Sequence, residues 1–264
     1  MALNIDTWAD NLGNHQAWYE RATAGWARWL RAGGRLGEWA DNTLPDIQFA
    51  GYVLRLNERD TVINLSCGWG RHAITLAHYG LNVIGLDASS SLLELARETS
   101  AQAGLKVRWV HGELSDVALT SPVDCVAQFH NNLLEWAKGP ADALFLLDQV
   151  HAVLKTGGRF LFGDPAWLAI PPRHEQSEAE TPEGTESYHN YFDPRSRTFQ
   201  SQIIVTGRDG EQHEYWRYTW RPTVEQMAAL LHQAGFNIAG QFNNYSFSPY
   251  NPDQPGLVWS AEKK

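Results

Sequence analysis

The chain is poor in sulfur and in basic charge. Its 264 residues include two cysteines, Cys67 and Cys125, and neither belongs to a Cys-x-x-Cys pair. A disulfide framework and a thiolate metal cluster are therefore not expected, and no metal site is read from the sequence. Lys and Arg number 21 against 30 Asp and Glu, for a formal net charge of -9 and a pI near 5.5. That balance argues against a nucleic-acid surface, which relies on clustered Lys and Arg. No stretch approaches the roughly 18 apolar residues of a membrane span, so no membrane partner is expected. Met1 to Asp6 has no basic segment followed by an apolar run, which makes the cytoplasm the expected location. Repeats and coiled-coil heptads are absent too. What is present is enough chain for one large domain with a sizeable core, and twelve tryptophans. Trp is first a packing residue, and its abundance also hints at an aromatic pocket.

The most informative stretch runs from Val62 to Gly70, reading Val62-Ile63-Asn64-Leu65-Ser66-Cys67-Gly68-Trp69-Gly70 before the helical pattern Ala73-Ile74-Thr75-Leu76-Ala77. An apolar strand, a tight turn and a helix N-terminus can make a nucleotide site. Gly68 and Gly70 permit positive φ and close approach of a ligand, and the free N–H groups of the helix start attract negative charge. Alone, a Gly-x-Gly is weak evidence, equally readable as a surface turn. A second strand, Asn82 to Leu86, ends at Asp87, 17 residues beyond Gly70. The βαβ unit sets the two strands parallel, with Asp87 at a carboxyl end where an acidic side chain can accept from both hydroxyls of a ribose. Asp87 can also be an N-cap, but Ser89 and Ser90 serve that role equally well.

Upstream, Trp8, Trp18, Tyr19, Trp26, Trp29, Leu30 and Trp39 suggest an amphipathic helix whose aromatic stripe packs on the main domain. Gly33 and Gly34 break it, and Asp41-Asn42-Thr43 with Pro45 opens a second helix through Phe49 to Leu56. Downstream come a helix from Ser91 to Ala103, a strand at Val107 to Val110, and a strand at Val123 to Phe129 followed by His130, Asn131 and Asn132. A helix from Pro140 to Leu154 and a strand at Arg159 to Phe162 complete five strands in alternation with helices, which argues for a doubly wound α/β sheet. Residues 171–186 are polar and look like a mobile excursion. Phe199 to Thr206 and Glu211 to Trp220 alternate in period two around Asp209-Gly210, a hairpin signal with Trp216, Tyr218 and Trp220 on one face. A capping box at Thr223 starts the last helix, and two strands close the chain.

The order of features resembles the class I S-adenosylmethionine-dependent methyltransferases, with a subgroup acting on small molecules suggested by Gly70-Arg71-His72. The residues that carry the resemblance are Asn64 to Gly70, Asp87, Lys155-Thr156-Gly157-Gly158 and Ala234-Gly235-Phe236, over roughly residues 45 to 262. Asn64 and Ser66 stand where the family usually has Asp and Gly, and Asn64 lacks the charge that would pair with the methionine ammonium. The resemblance implies a Rossmann-like sheet of seven strands, mostly parallel with one antiparallel strand, plus N-terminal helices and a β-hairpin insertion. It divides the chain into a helical cap at 1–57 and a methyltransferase domain at 58–264, with the insertion at about 165–221.

By the same resemblance the cofactor is S-adenosyl-L-methionine. Asn64, Ser66, Cys67, Gly68 and Gly70 would face its methionine part, Asp87 the ribose, and Ala88, Glu113 and Leu114 the adenine. Gln128, Phe129 and His130 would line the sulfonium. His130 is the candidate catalytic base, since an imidazole exchanges protons near neutral pH; equally it can be a hydrogen-bonding residue at a strand end. His72 reads as structural. The expected activity is methyl transfer to an N or O atom of a small molecule. Two alternatives stand beside it: an NAD-binding oxidoreductase, because Gly68 to Ala73 also satisfies G-x-G-x-x-A, and a noncatalytic cofactor-binding partner protein.

Overall fold

The computed structural model describes residues 6–31, 42–130, 134, 137–164, 174–181 and 184–264, the side chains of 6–18 and 115 excepted. Trp8, Trp18 and Trp39 of the aromatic stripe, Gly33 and Gly34, and Asn131 and Asn132 after the fourth strand lie outside these limits.

In the strand Thr61–Leu65 (β1), every residue after the first is buried, the mark of a strand covered on both faces. It pairs in parallel with Asn82–Asp87 (β2) on one side and Val123–Gln128 (β4) on the other. With Arg108–His111 (β3), Leu154–Asp164 (β5), Phe236–Phe242 (β10) and Leu257–Lys263 (β11), the sheet runs β10-β11-β5-β4-β1-β2-β3. Only β11 is antiparallel to its neighbours. This is the seven-stranded, mostly parallel sheet that the sequence led us to expect.

Helices cover both faces. Pro140–Val153 (α5) and Val224–Gln233 (α6) bury Leu147, Val150, Met227 and Leu231 against Ile63, Phe160 and Trp259. Thr43–Val53 (α2) and Arg71–His78 (α3) bury Phe49, Ala50, Ala73 and Leu76 against Val62, Val83 and Val258. The helix Ser90–Gln102 (α4) follows β2 and buries Leu92, Leu93 and Ala96. Residues of opposite parity on β1 thus serve the two cores.

Two expectations are corrected. The expected hairpin is present as Thr198–Gly207 (β8) and Gln212–Trp220 (β9), but the insertion is larger: a four-stranded antiparallel sheet that adds His174–Thr181 (β6) and Gly184–Asp193 (β7), in sequential order. The polar stretch supplies its edge strand, β6, in which seven of eight residues are exposed, so no buried face left an alternating pattern in the sequence. The second correction concerns Asp6–Arg31 (α1), where Trp26 and Trp29 are 55% and 41% exposed. Among its described side chains, residues 19–31, the buried positions are the small residues Thr23, Gly25 and Ala27. Tyr19 and Ala22 pack on Ile203, Val205 and Tyr215 of the second sheet, so the face of β9 that meets α1 carries Tyr215 and not Trp216 or Tyr218.

Trp109 on the edge strand β3 sets a packing constraint where its ring lies over β2 and the turn after β1. A Cβ on Gly85 would stand 2.3 Å from Trp109 Cζ3 and 3.2 Å from Cys67 Sγ. Gly85→Ala should therefore destabilise the protein by about 1–3 kcal/mol through overpacking. Combined with Trp109→Leu, which opens the same space, it should cost less than the sum of the two single changes in urea unfolding.

Candidate functional site

Strand order reverses between β1 and β4, and the carboxyl ends beside that reversal form the crevice where α/β sheets hold ligands. Leu65 stands in register between Leu86 and Gln128, so Ser66, Asp87 and Phe129 follow side by side. The turn after β1 is held in left-handed backbone at Ser66 (φ 48°), Gly68 (φ 55°) and Gly70 (φ 84°). Ser66 pays for a conformation that glycine adopts freely. Gly70 is required for a further reason, because its Cβ would meet Trp109 Cη2 at 2.5 Å. Gly68 differs: nothing lies nearer its Cβ position than Leu92 Cδ1 at 3.9 Å, which leaves that backbone open to approach.

Asp87, 3% exposed, locks the turn. Its Oδ2 accepts the Gly68 N–H at 2.7 Å, and its Oδ1 accepts the Ser89 N–H at 2.9 Å and the Tyr19 hydroxyl at 3.1 Å. Burial raises its pKa, and these three donors oppose the rise. The capping of α4 falls to Ser89, whose Oγ accepts the Leu92 N–H, which leaves Asp87 outside that role. Cys67 is buried beside Asp87, and both effects push its thiol well above its ordinary pKa, so it is a neutral packing residue.

The other sequence candidates divide. Gln128 Nε2 donates to Ser66 Oγ at 3.2 Å. Asn64 Nδ2 donates to the Ala127 carbonyl at 3.2 Å, while Asn64 Oδ1 and Gln128 Oε1 are buried without a donor among the described residues. The carbonyl of Ala88 accepts from His111 Nε2 at 3.0 Å. Glu113 caps the short 3-10 turn Leu114–Asp116 and is exposed, with Leu114 packed on the core. Phe129 does not point into the crevice: its ring is buried and stacks on His72 at 4.2 Å, which leaves only its backbone at the strand end.

His130 is drawn into a group that the sequence did not disclose. Asp46 on α2 accepts on one oxygen, Oδ2, from His130 Nε2 at 2.8 Å and His72 Nε2 at 2.9 Å, with Arg71 Nη1 at 3.5 Å. Burial raises the Asp46 pKa, but the bonds from His130 and His72 outweigh it and hold the carboxyl below its ordinary value. His130 has left-handed backbone (φ 54°), and its N–H donates to the Tyr245 hydroxyl at 3.2 Å. That hydroxyl also lies within hydrogen-bond distance of the carbonyls of Gln128 and Gly163. The ligand atoms of Asp46, His72 and His130 fall within 4.8 Å of one another, a spacing that a metal ion could use. The guanidinium beside the same oxygen opposes a second cation there. Tyr19, Asp46 and Tyr245 carry no motif; Asp46 is marked in the sequence only as an acidic residue in the first turn of a helix.

Burial lowers the His72 pKa from 6.5 to about 4. The unfolded chain therefore binds more protons than the folded one between these values, and stability falls as pH drops through that window. The loss should approach about 3 kcal/mol by pH 4. His72→Gln should flatten the dependence in denaturant titrations between pH 7 and 4.

Residues 62–158 match the family described as "Methyltransferase domain". An uncharacterized methyltransferase of Synechocystis is 33% identical over 124 residues, 45% of this chain and 55% of that protein. A ubiquinone biosynthesis O-methyltransferase of Ruegeria is 25% identical over 222 residues, 81% of this chain and 71% of that protein. The chain spans about half the length of several of the curated relatives it matches. Among solved structures, an S-adenosylmethionine-dependent methyltransferase from Clostridium acetobutylicum superimposes with a TM-score of 0.68 at 19% identity, covering 89% of this chain and 94% of that one. With the reversed strand order, the single antiparallel strand β11 and the turn locked to Asp87, residues 62–158 are similar to a methyltransferase domain, and the chain shares the fold of the S-adenosylmethionine-dependent methyltransferase from Clostridium acetobutylicum.

Proposed function

We propose that this chain transfers the methyl group of S-adenosylmethionine to a nitrogen or oxygen atom of a small molecule, with His130 receiving the acceptor's proton. One observation carries the reading. At the reversal of strand order, the Asp87 carboxylate and the open backbone of Gly68 stand with two buried acceptors that lack donors, Asn64 Oδ1 and Gln128 Oε1. The cofactor's ammonium group supplies donors for these two acceptors and its ribose diol donates to the Asp87 carboxylate, so the residues present fit this cofactor. In this reading Asn64, Ser66, Cys67, Gly68 and Gly70 hold the methionine part and Asp87 the ribose. Ala88, Glu113 and Leu114 border the adenine, and Gln128 and the Phe129 backbone the sulfonium.

The cofactor supplies an electrophilic methyl group. The chain's share is alignment, exclusion of water and removal of a proton. Residues 1–57 act as a cap and the insertion at about 165–221 as a second wall. This is supported by Tyr19 and Ala22, which pack on the second sheet while Tyr19 reaches Asp87. The net charge of -9 favours a small acceptor over a nucleic acid. The similarity to a protein named as an O-methyltransferase supports oxygen as one acceptor atom.

S-adenosylhomocysteine, the product form, should raise the melting temperature, and NAD should leave it unchanged; the reverse would replace this reading with a nicotinamide site. Asp87→Asn should weaken S-adenosylhomocysteine binding by about 10- to 100-fold in calorimetry, the worth of one or two hydrogen bonds to a charged group. Tyr19→Phe should strengthen it, because the phenol no longer competes for Oδ1. Unchanged affinity in both variants would remove the ribose role of Asp87.

A further inference from the structure

We infer that Asp46 is the positioning residue of His130: its Oδ2 holds the Nε2–H of the ring, so that Nδ1 carries the lone pair that takes the acceptor's proton. This rests on the reading of His130 given above and deepens it. The carboxylate comes from α2, which precedes the sheet in the chain, and it is 2% exposed, whereas the His130 side chain is 24% exposed. The ring has two aromatic neighbours, Tyr245 with its centroid 4.6 Å away and His72 with its centroid 6.0 Å away. With Tyr245 and His72 beside the ring and Nε2 held at 2.8 Å, Asp46 and its neighbours fix the ring's orientation. No hydrogen bond reaches Nδ1 among the described residues.

A structural role alone does not account for this bond. Tying α2 to α3 is already achieved by His72 on Asp46 and by Arg71 Nη1 on Thr43 Oγ1 at 2.9 Å. The third contact instead reaches across to the end of β4, to a residue in strained left-handed backbone whose N–H is held separately by Tyr245. Strain maintained by two independent contacts marks a position whose geometry matters.

The charges also suit proton uptake. Asp46 is ionised and Arg71 compensates it, and His72 is neutral because it is buried. His72 therefore adds no positive charge against Asp46, and an imidazolium at His130 meets the carboxylate oxygen at 2.8 Å, nearer to that oxygen than the opposing Arg71 guanidinium at 3.5 Å. When the acceptor's heteroatom forms its bond to the methyl carbon, the carbon–sulfur bond breaks and its electron pair stays on sulfur. The acceptor's proton passes to Nδ1 of His130, and the imidazolium formed faces Asp46. The groups around it are Asp46, Arg71, His72 and the Tyr245 hydroxyl. An aspartate that orients a histidine and opposes its positive charge does the same in hydrolytic triads.

The test reads the tautomer directly and needs neither cofactor nor acceptor. In the full chain labelled with 15N-histidine, long-range 1H–15N spectra above pH 8 should show His130 as the Nε2–H form by at least about tenfold, the preference that one charge-assisted hydrogen bond supports. In Asp46→Asn, whose amide presents either an acceptor or a donor, the ratio should fall towards one; in His72→Gln it should persist. An Nδ1–H form in the wild type, or an unchanged ratio in a folded Asp46→Asn, would overturn the inference. Stoichiometric Zn2+ binding with loss of both Nε2–H signals would overturn it in favour of a metal centre. If the variant fails to fold, the wild-type tautomer and the zinc titration still decide. A failed tautomer test with a positive S-adenosylhomocysteine melting shift sinks only the role of Asp46; the opposite pair of results sinks the methyl-transfer reading.

Discussion

One buried carboxylate organises this molecule. Asp87 binds the turn after β1 through Gly68 and the start of α4 through Ser89, while its own carbonyl accepts the Gly112 N–H beyond β3. Its hydrogen bond from Tyr19 then attaches α1, and through α1 the second sheet. An ionised group in this position costs stability unless its oxygens are satisfied, and the backbone donors that satisfy it belong to the loops that shape the crevice. The arrangement makes the cost of burying a charge and the precision of the site two sides of one constraint.

The N-terminal helix extends that constraint. Thr23 pairs with Ser89 at 2.6 Å, and Glu20 accepts from the Ser90 N–H at 2.8 Å and lies 3.1 Å from His111 Nε2. Successive turns of α1 thus contact the ends of β2 and β3 where the sheet is open. Among the described side chains of the helix, polar contacts and small residues hold it there, and Trp26 and Trp29 are exposed. Such a contact surface separates at less cost than an apolar one of the same size, since water replaces the bonds it breaks.

The central sheet was legible in the sequence because parallel strands are continuous apolar runs and their crossovers leave glycine punctuation, as at Gly80 and Gly104. Asp87 and the turn from Ser66 to Gly70 were legible because both lie within a βαβ unit, where spacing in sequence fixes spacing in the fold. Asp46 and Tyr245 were not, since each reaches the site from an element whose packing no local pattern records. The aromatic stripe misled for a related reason. Residue size suggested the buried face of α1, but close approach to Ser89 admits only Thr23 and its small neighbours. In the same way, β6 has a strand's hydrogen bonds without a strand's composition.

That edge strand has a consequence for the molecule in a crowded solution. An antiparallel sheet ending in unpaired N–H and C=O groups is a template on which a second chain can add its own strand. Here the outermost strand carries Glu175, Glu178 and Glu180, exposed along its length. A copy adding to it in antiparallel fashion would bring like charges together and remove them from water. The polar composition that concealed β6 in the sequence therefore disfavours growth of the second sheet at that edge.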